Sequence, residues 1–160
     1  MTDFETLLHL LARARVEFII VGGAAATVHG SSRLTQDLDI VYRRAPENLR
    51  RLAEALSPHH PYLRGAPAGL PFRLDAETLQ RGLNFTLVTD LGDLDLLGEI
   101  AGGGNFEALL DYAQPIEVYG ARCYVLGLER LIEVKRAAGR PKDFEAIAEL
   151  EKILEARERG

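Results

Sequence analysis

A short apolar run, Phe18 to Val21, stops at Gly22-Gly23 and constrains the fold more than any other feature. All of its side chains are hydrophobic and most are β-branched, which is typical of a strand that is buried on both faces of a sheet. Both faces of the sheet that contains such a strand must therefore be covered by other secondary structure. The run therefore predicts a covered sheet, with a glycine pair where the strand ends.

Helix and strand patterns alternate along the rest of the chain. Apolar spacing predicts an N-terminal amphipathic helix from Phe4 to Leu11. Further strands are predicted at 38–42, 84–88, 93–97, 116–119 and 122–126, and further helices at 24–29, 47–56, 106–112 and from 128 onwards. The last helix is expected to turn four apolar side chains inward, Phe144, Ile147, Leu150 and Leu154. Residues 57–75 are rich in proline and glycine and are predicted to form an irregular loop.

This order predicts an α+β fold, with helices covering a mixed α/β sheet. The length of 160 residues predicts a single domain over 1–160, with a core at about 15–126 and C-terminal helices at about 127–158. The composition excludes a disordered chain, a collagen-like fibre and a coiled coil. The single cysteine, Cys123, excludes a disulfide framework and a multi-cysteine metal site.

Neither a signal peptide nor a membrane-spanning segment is apparent, so we expect a cytoplasmic protein with no membrane partner. The net charge of −5 argues against a protein that binds nucleic acid through a positive charge spread over its whole surface. Local charge is uneven: residues 43–51 carry a net +3, residues 122–142 a net +4 and residues 74–117 a net −8. The stretches suggest local electrostatic sites, and a solvated surface with chance clustering is the alternative.

Two aspartates, Asp37 and Asp39, lie two positions apart on a predicted strand, so their side chains share one face. Like charges at this spacing repel unless a cation lies between them, and hard divalent ions such as Mg²⁺ prefer carboxylate oxygens. A solvated strand face is the alternative. Asp95 lies between apolar residues on a later strand, where an unpaired carboxylate is costly. It is either a site residue or a paired structural acid, and Asp93, nearer the turn, is expected to be the exposed one.

The glycine pair, Gly22 and Gly23, could let the backbone approach an anion closely at the start of a helix. A tight turn is the alternative reading of the same two residues. The two glycines, the Asp-x-Asp strand and the later strand aspartate together form a more specific pattern than any of them alone.

That combined pattern resembles the nucleotidyltransferase superfamily of the DNA polymerase β type. The residues that carry the resemblance are 21–24 (VGGA), 33–40 (RLTQDLDI) and 90–97 (DLGDLDLL). Residues 135–143 (KRAAGRPKD) are similar to the C-terminal signature of AbiEii-like toxin nucleotidyltransferases. The chain departs from the pattern at Gly23, where many relatives have serine, and it is shorter than typical AbiEii-like toxins.

The resemblance implies a polymerase β-like fold and transfer of a nucleoside monophosphate from a nucleoside triphosphate, ATP among them, to a hydroxyl acceptor. It implies two Mg²⁺ ions, with Mn²⁺ as a substitute, held by Asp37, Asp39 and Asp95. Asp95 is also the candidate general base. Phosphate contacts are expected from Gly22 and Gly23, and from Arg33 and Thr35.

Lys135 ends an apolar helix stripe, where its ammonium could reach a polyphosphate or its stem could simply cover apolar surface. Arg140 and Lys142 flank Pro141 and are candidates for a second phosphate or RNA contact, with a solvated turn as the alternative. The expected acceptor is a tRNA, a protein side chain or a small molecule, within a toxin–antitoxin or phage-defence system. The competing hypothesis is an inactive binding module on the same fold, paired with a cognate toxin or antitoxin protein.

Overall fold

The computed structural model describes residues 2–160. The helices are α1 (Phe4–Arg13), α2 (Gly22–Val28), α3 (Pro46–Leu56), α4 (Ala76–Arg81), α5 (Phe106–Leu110), α6 (Leu128–Ala138) and α7 (Phe144–Arg159). The strands are β1 (Phe18–Val21), β2 (Asp37–Tyr42), β3 (Tyr62–Leu63), β4 (Phe85–Thr89), β5 (Gly92–Leu97), β6 (Glu99–Ile100), β7 (Gly104–Asn105), β8 (Ala113–Val118) and β9 (Ala121–Leu126). Short 3₁₀ turns lie at Ser57–His59 and Pro141–Asp143.

One mixed sheet organises the structure, with the strand order β3-β4-β5-β2-β1-β9-β8. Strands β2 and β5 are parallel, as are β1 and β9, and the other neighbouring pairs are antiparallel. The apolar strand β1 lies near the middle and is buried along its whole length. The predicted mixed sheet of an α+β fold is confirmed, as are the hairpins β4–β5 and β8–β9.

The register of the parallel pair β2–β5 fixes two faces with opposite character. Asp37 lies opposite Asp93 and Asp39 opposite Asp95, so these four side chains share one face. The alternate positions of both strands point to the other face and are fully buried leucine and isoleucine side chains. The apolar face anchors the two strands in the core and thereby places the carboxylates side by side.

Several details differ from the expectations, among them the unpredicted helix α4 and strands β6 and β7. Helix α2 begins at Gly22, not at residue 24, because a φ of +63° at Gly22 turns the chain directly from β1 into the helix. Phe144 is 62% exposed rather than inward-facing, since it is the first residue of α7 and precedes the part of the helix that packs on the core. Residues 57–75 include the edge strand β3, so they are not wholly irregular. None of the helices within residues 2–160 is both long and apolar enough to cross a membrane.

Candidate active site

Three carboxylates converge on the acidic face of β2 and β5. One oxygen from each of Asp37, Asp39 and Asp95 lies within 4.8 Å of the others. The side chain of Asp95 is 16% exposed and that of Asp37 is 38% exposed, so the cluster is half-open to solvent. Asp93 is the fourth acid of this face and, with 37% of its side chain exposed against 16% for Asp95, it is the more exposed of the two acids on β5, as expected.

Asp39 is the least satisfied acid of the cluster. Its Oδ1 atom is buried and has no hydrogen-bond partner among the described residues. Burial raises the pKa of this carboxyl to about 7, and the nearby charges of Asp95 and Asp37 add to the effect. A buried carboxylate oxygen without a partner is costly, and a cation beside it would relieve that cost.

Gly22 provides the space that Asp39 occupies. A Cβ atom at this position would lie 3.0 Å from Cγ of Asp39 and would collide with its Oδ2. The positive φ of Gly22 also disfavours any other residue. Glycine at this position therefore lets the start of α2 close over the acidic face.

The neighbouring Gly23 serves a different side chain. A Cβ at Gly23 would lie 2.6 Å from Oγ1 of Thr35, so the threonine hydroxyl occupies the space beside this glycine. The same hydroxyl donates a hydrogen bond of 3.2 Å to the carbonyl oxygen of Asp37. The loop before β2 is thus tied both to the glycine turn and to the first site aspartate.

The donor set fits a hard divalent cation. Its ligand atoms are carboxylate oxygens only, which suits Mg²⁺ or Mn²⁺. The buried, unpartnered Oδ1 of Asp39 supplies the independent sign that a positive charge belongs there. Asp37, Asp39 and Asp95 are the residues that would hold the ion.

Arg64 enters the acidic face from the end of β3, and the sequence analysis missed it. Its Nη2 atom donates to Oδ1 of Asp95 at 2.7 Å and to the carbonyl oxygen of Leu87 at 2.8 Å. Its Nε lies 3.5 Å from Asp93, and its Nη1 lies 3.9 Å from Asp37. No periodic pattern surrounds Arg64 in the proline- and glycine-rich segment, and the only available signal was an acidic stretch that needed a cation.

A polar cavity of about 160 Å³ lies on the other side of the glycine turn. Its charged lining consists of three cations from separate parts of the chain, Arg33, Lys135 and Lys142, and two acids, Asp143 and Glu149, so cations are in excess. Gly23 and Thr35 line the same cavity. Most of the predicted phosphate-binding residues therefore surround one space, and Lys142 joins them.

Among solved structures, a protein from Thermotoga maritima described as a "putative nucleotidyltransferase" is similar to this chain. The match covers 95% of this chain and 96% of that one, with a TM-score of 0.57 and 17% sequence identity. No protein-family model and no curated protein matches the chain. The chain has a nucleotidyltransferase fold. The further resemblance to AbiEii-like toxins stays a prediction.

Within this nucleotidyltransferase fold, Arg140 does not line the polar cavity, although its partner Asp143 does. The Nε of Arg140 bonds to Oδ2 of the buried Asp143 at 2.7 Å. Arg33 does line the cavity, and it also lies 3.6 Å from the exposed Glu145. The structure thus brings Arg33 to the glycine turn and turns the Arg140 guanidinium towards its own helix junction.

The two basic stretches of the sequence have different environments in the nucleotidyltransferase fold. In residues 43–51 the arginines bind side chains and carbonyl oxygens of the protein itself. Arg43 pairs with Glu17 at 3.0 Å, and Arg44 donates to the carbonyl oxygens of Leu79 and Gln80. In residues 122–142, by contrast, Lys135 and Lys142 line the cavity. The second stretch is therefore the one that can serve a ligand.

Proposed function

We propose that this chain is a metal-dependent nucleotidyltransferase that moves a nucleoside monophosphate from a nucleoside triphosphate to a hydroxyl acceptor. The observation that carries the proposal is the cluster of Asp37, Asp39 and Asp95, whose oxygens lie within 4.8 Å of one another. The cluster lies directly beside the glycine turn, and the basic cavity lies beyond that turn. A cation site next to a phosphate site is what transfer of a phosphoryl group requires.

The reaction exchanges one bond at the α-phosphorus of the triphosphate for another. The acceptor oxygen forms a bond to this phosphorus, the bond to the bridging oxygen breaks, and pyrophosphate leaves. The acceptor proton passes to a base, for which Asp95 is the candidate. Because Arg64 binds Oδ1 of Asp95, Oδ2 is the oxygen left to accept the proton.

The remaining site residues bind and orient the triphosphate. We keep the backbone N–H groups of Gly22 and Gly23 as the proposed phosphate contacts, since the space beside the two α-carbons themselves is occupied by Asp39 and Thr35. Lys135 and Lys142 contribute positive charge from the cavity wall, and the Thr35 hydroxyl lies beside Gly23. A bound divalent ion, Mg²⁺ in the first instance, would supply the charge that lowers the pKa of the acceptor hydroxyl and stabilises the leaving pyrophosphate.

The acceptor is proposed as an RNA such as tRNA, a protein side chain or a small molecule. A toxin–antitoxin or phage-defence role, with a cognate partner protein, rests on the resemblance of residues 135–143 alone. One observation favours the second candidate, an inactive binding module on the same fold. Arg64 already contacts three of the four acids, as a structural arginine would in a site that binds no metal.

A transfer assay separates the two candidates. The protein is incubated with Mg²⁺ and each α-labelled triphosphate, with and without total tRNA, beside Asp39→Asn and Asp111→Asn variants. Asp39→Asn keeps the side-chain shape and removes the charge from the cluster, whereas Asp111 is an exposed aspartate outside the site. We expect label on RNA or protein from the wild type and from Asp111→Asn, and at least about 10²-fold less from Asp39→Asn.

Two other outcomes would change the conclusion. Equal labelling by wild type and Asp39→Asn would contradict the assignment of the acidic face as the catalytic site. Absence of label together with absence of triphosphate binding would favour the binding module. Absence of label despite Mg²⁺-dependent triphosphate binding would direct the search to small-molecule acceptors.

A further inference from the structure

Arg64 is held in place by the main chain as well as by the acids. Its backbone N–H donates to the carbonyl oxygen of Thr86 at 2.9 Å, and its Nη2 donates to the carbonyl oxygen of Leu87 at 2.8 Å. Both acceptors belong to β4, the strand between β3 and β5. The guanidinium would therefore keep its position even without the carboxylates, unlike an arginine that folds over an acidic surface by charge alone.

The positive charge of Arg64 is unevenly distributed over the acidic face. It contacts Asp93 and Asp95 on β5, and lies at a longer distance, 3.9 Å, from Asp37 on β2. Within residues 2–160, no ion pair of 4.0 Å or less joins it to Asp39, and Oδ1 of Asp39 has no hydrogen-bond partner. The acids of β5 are therefore in direct contact with a cation, whereas Asp39 feels the charge of Arg64 only from a distance, and its pKa stays raised.

We infer that Arg64 occupies one of the two cation positions on this face, so that the nucleotide-free protein binds a single exchangeable divalent ion on the Asp37–Asp39 side. The inference rests on the proposed function and concerns the protein without nucleotide, whereas the two ions that the resemblance implied belong to the complex with a triphosphate. When all four carboxyls are ionised they carry four negative charges, of which Arg64 offsets one and a divalent ion two. A second divalent ion would have to displace a guanidinium that β4 holds in place, or share the oxygens of Asp95 with it.

Arg64 is also a positioning residue. By bonding to Oδ1 of Asp95 it leaves Oδ2 of the same carboxylate available to a cation or to an acceptor proton. Its fixed charge also reduces repulsion among the acids before any ion binds. Removal of the charge should open a second ion position and make the protein depend more strongly on metal for its stability.

The test counts bound Mn²⁺ by electron paramagnetic resonance, in the full chain without nucleotide. The variants are Arg64→Gln and Arg64→Met, which remove the charge, and Arg64→Lys, which keeps it. Arg81→Gln is the matched control, since Arg81 pairs with the exposed Glu77 away from the site. Asp39→Asn tests the metal site itself. Thermal unfolding without metal shows which variants fold, so that either uncharged variant can serve if the other does not.

We expect the wild type, Arg64→Lys and Arg81→Gln to bind one Mn²⁺, and Asp39→Asn to lose it. The uncharged Arg64 variants should bind a second ion, with the line broadening of two close Mn²⁺ ions, and Mn²⁺ should raise their melting temperature more than that of the wild type. Two ions on the wild type, or an unchanged count of one in the uncharged variants, would overturn the inference while leaving the proposed function intact. Binding that is absent from all variants, or indifferent to Asp39→Asn, would remove the metal site and the inference with it.

Discussion

The acidic face and the basic cavity both adjoin the glycine turn, but different kinds of structural element supply their residues. The four acids come from two hydrogen-bonded strands, and the register of β2 and β5 sets their spacing. The cations of the cavity come from the loop before β2, from α6 and from the turn before α7. Short side chains on a sheet form one region, and long side chains on separate elements form the other.

This difference matches the ligands that we propose for each region. A metal ion needs oxygens at defined distances, and a pair of strands whose other face is fully buried can hold them there. Phosphate groups tolerate more variation, because lysine ammonium groups on flexible stems can adjust to them. The acidic face is therefore expected to respond sharply to single substitutions, and the basic cavity to respond gradually.

The largest expected effect is the pH dependence that Asp39 gives to stability without metal. Its pKa is about 7 in the folded protein, against an ordinary value of 3.8. The folded state thus binds the Asp39 proton more tightly than the unfolded state does. The contribution of Asp39 to the free energy of unfolding is therefore complete below pH 4 and is lost as the pH rises from there through 7. The difference corresponds to a loss on the order of 4 kcal/mol, measurable by denaturant unfolding with a chelator present.

Asp39→Asn serves as the control for that measurement, since it cannot ionise. Its free energy of unfolding should vary much less between pH 4 and pH 8 than that of the wild type. Added Mg²⁺ should restore the wild type at pH 8 and leave the variant unchanged. A parallel pH dependence in the two proteins would show that Asp39 is not the group responsible.

The second effect is steric and tests how closely α2 approaches the acidic face. Gly22→Ala adds a Cβ that collides with Asp39 and also imposes a strained φ. Gly139→Ala is the matched control, because φ there is +64° but the nearest atom lies 3.9 Å from the added Cβ. Both should lose about 1–3 kcal/mol to backbone strain, and only Gly22→Ala should also lose Mn²⁺ binding. Equal Mn²⁺ affinity in the two variants would argue against close packing at this point.

The third effect concerns the basic cavity, where each single substitution should lower triphosphate affinity only in part. Lys135→Gln and Lys142→Gln each remove one charge from the lining. Each is expected to weaken triphosphate binding by about 5- to 30-fold, or about 1–2 kcal/mol, between the values of a neutral and a charged hydrogen bond. Lys152→Gln, an exposed position on α7 outside the lining, should bind as the wild type does. Calorimetric titration with a non-hydrolysable triphosphate measures this. A loss as complete as that caused by Asp39→Asn would contradict the contrast between the two regions.

The smallest effect on triphosphate binding is expected at Arg140. Its guanidinium bonds to the buried carboxylate of Asp143, so Arg140→Gln leaves that acid without its cation and should cost on the order of 1–3 kcal/mol of stability. Triphosphate affinity should fall less than in Lys135→Gln. A larger fall would mean that Arg140 leaves Asp143 to contact phosphate, as the sequence analysis expected.

The acidic face was more predictable from sequence than the cation that compensates it. Residues two apart on a strand share a face, so the spacing of Asp37 and Asp39 is enough to pair their side chains. The neighbouring position of Asp95 depended on which strands pair, and the family resemblance supplied that. The position of Arg64 depends on a two-residue edge strand whose pairing with β4 has no periodic signal.

Tertiary packing also explains the smaller errors. Helix propensity alone places the start of α2 after the glycines. The helix nevertheless begins at Gly22, because glycine can adopt the positive φ of this turn and leaves room for Asp39 beside it. The apolar stripe of α7 predicts an inward Phe144, yet a stripe gives only a direction and not how far the neighbouring elements extend. In both cases the deciding contact lies far away in sequence.

The two regions also differ in how early along the chain they are complete. Every acid of the acidic face, together with Arg64 and the strands that hold them, lies before residue 98. The basic cavity requires Lys135, Lys142 and the packing of α6 against α7, more than a hundred residues after the glycine turn. On a ribosome, where the N-terminal part emerges first, the residues of the acidic face are therefore all available while those of the cavity are still being translated. Any activity that needs both regions must wait for the last two helices.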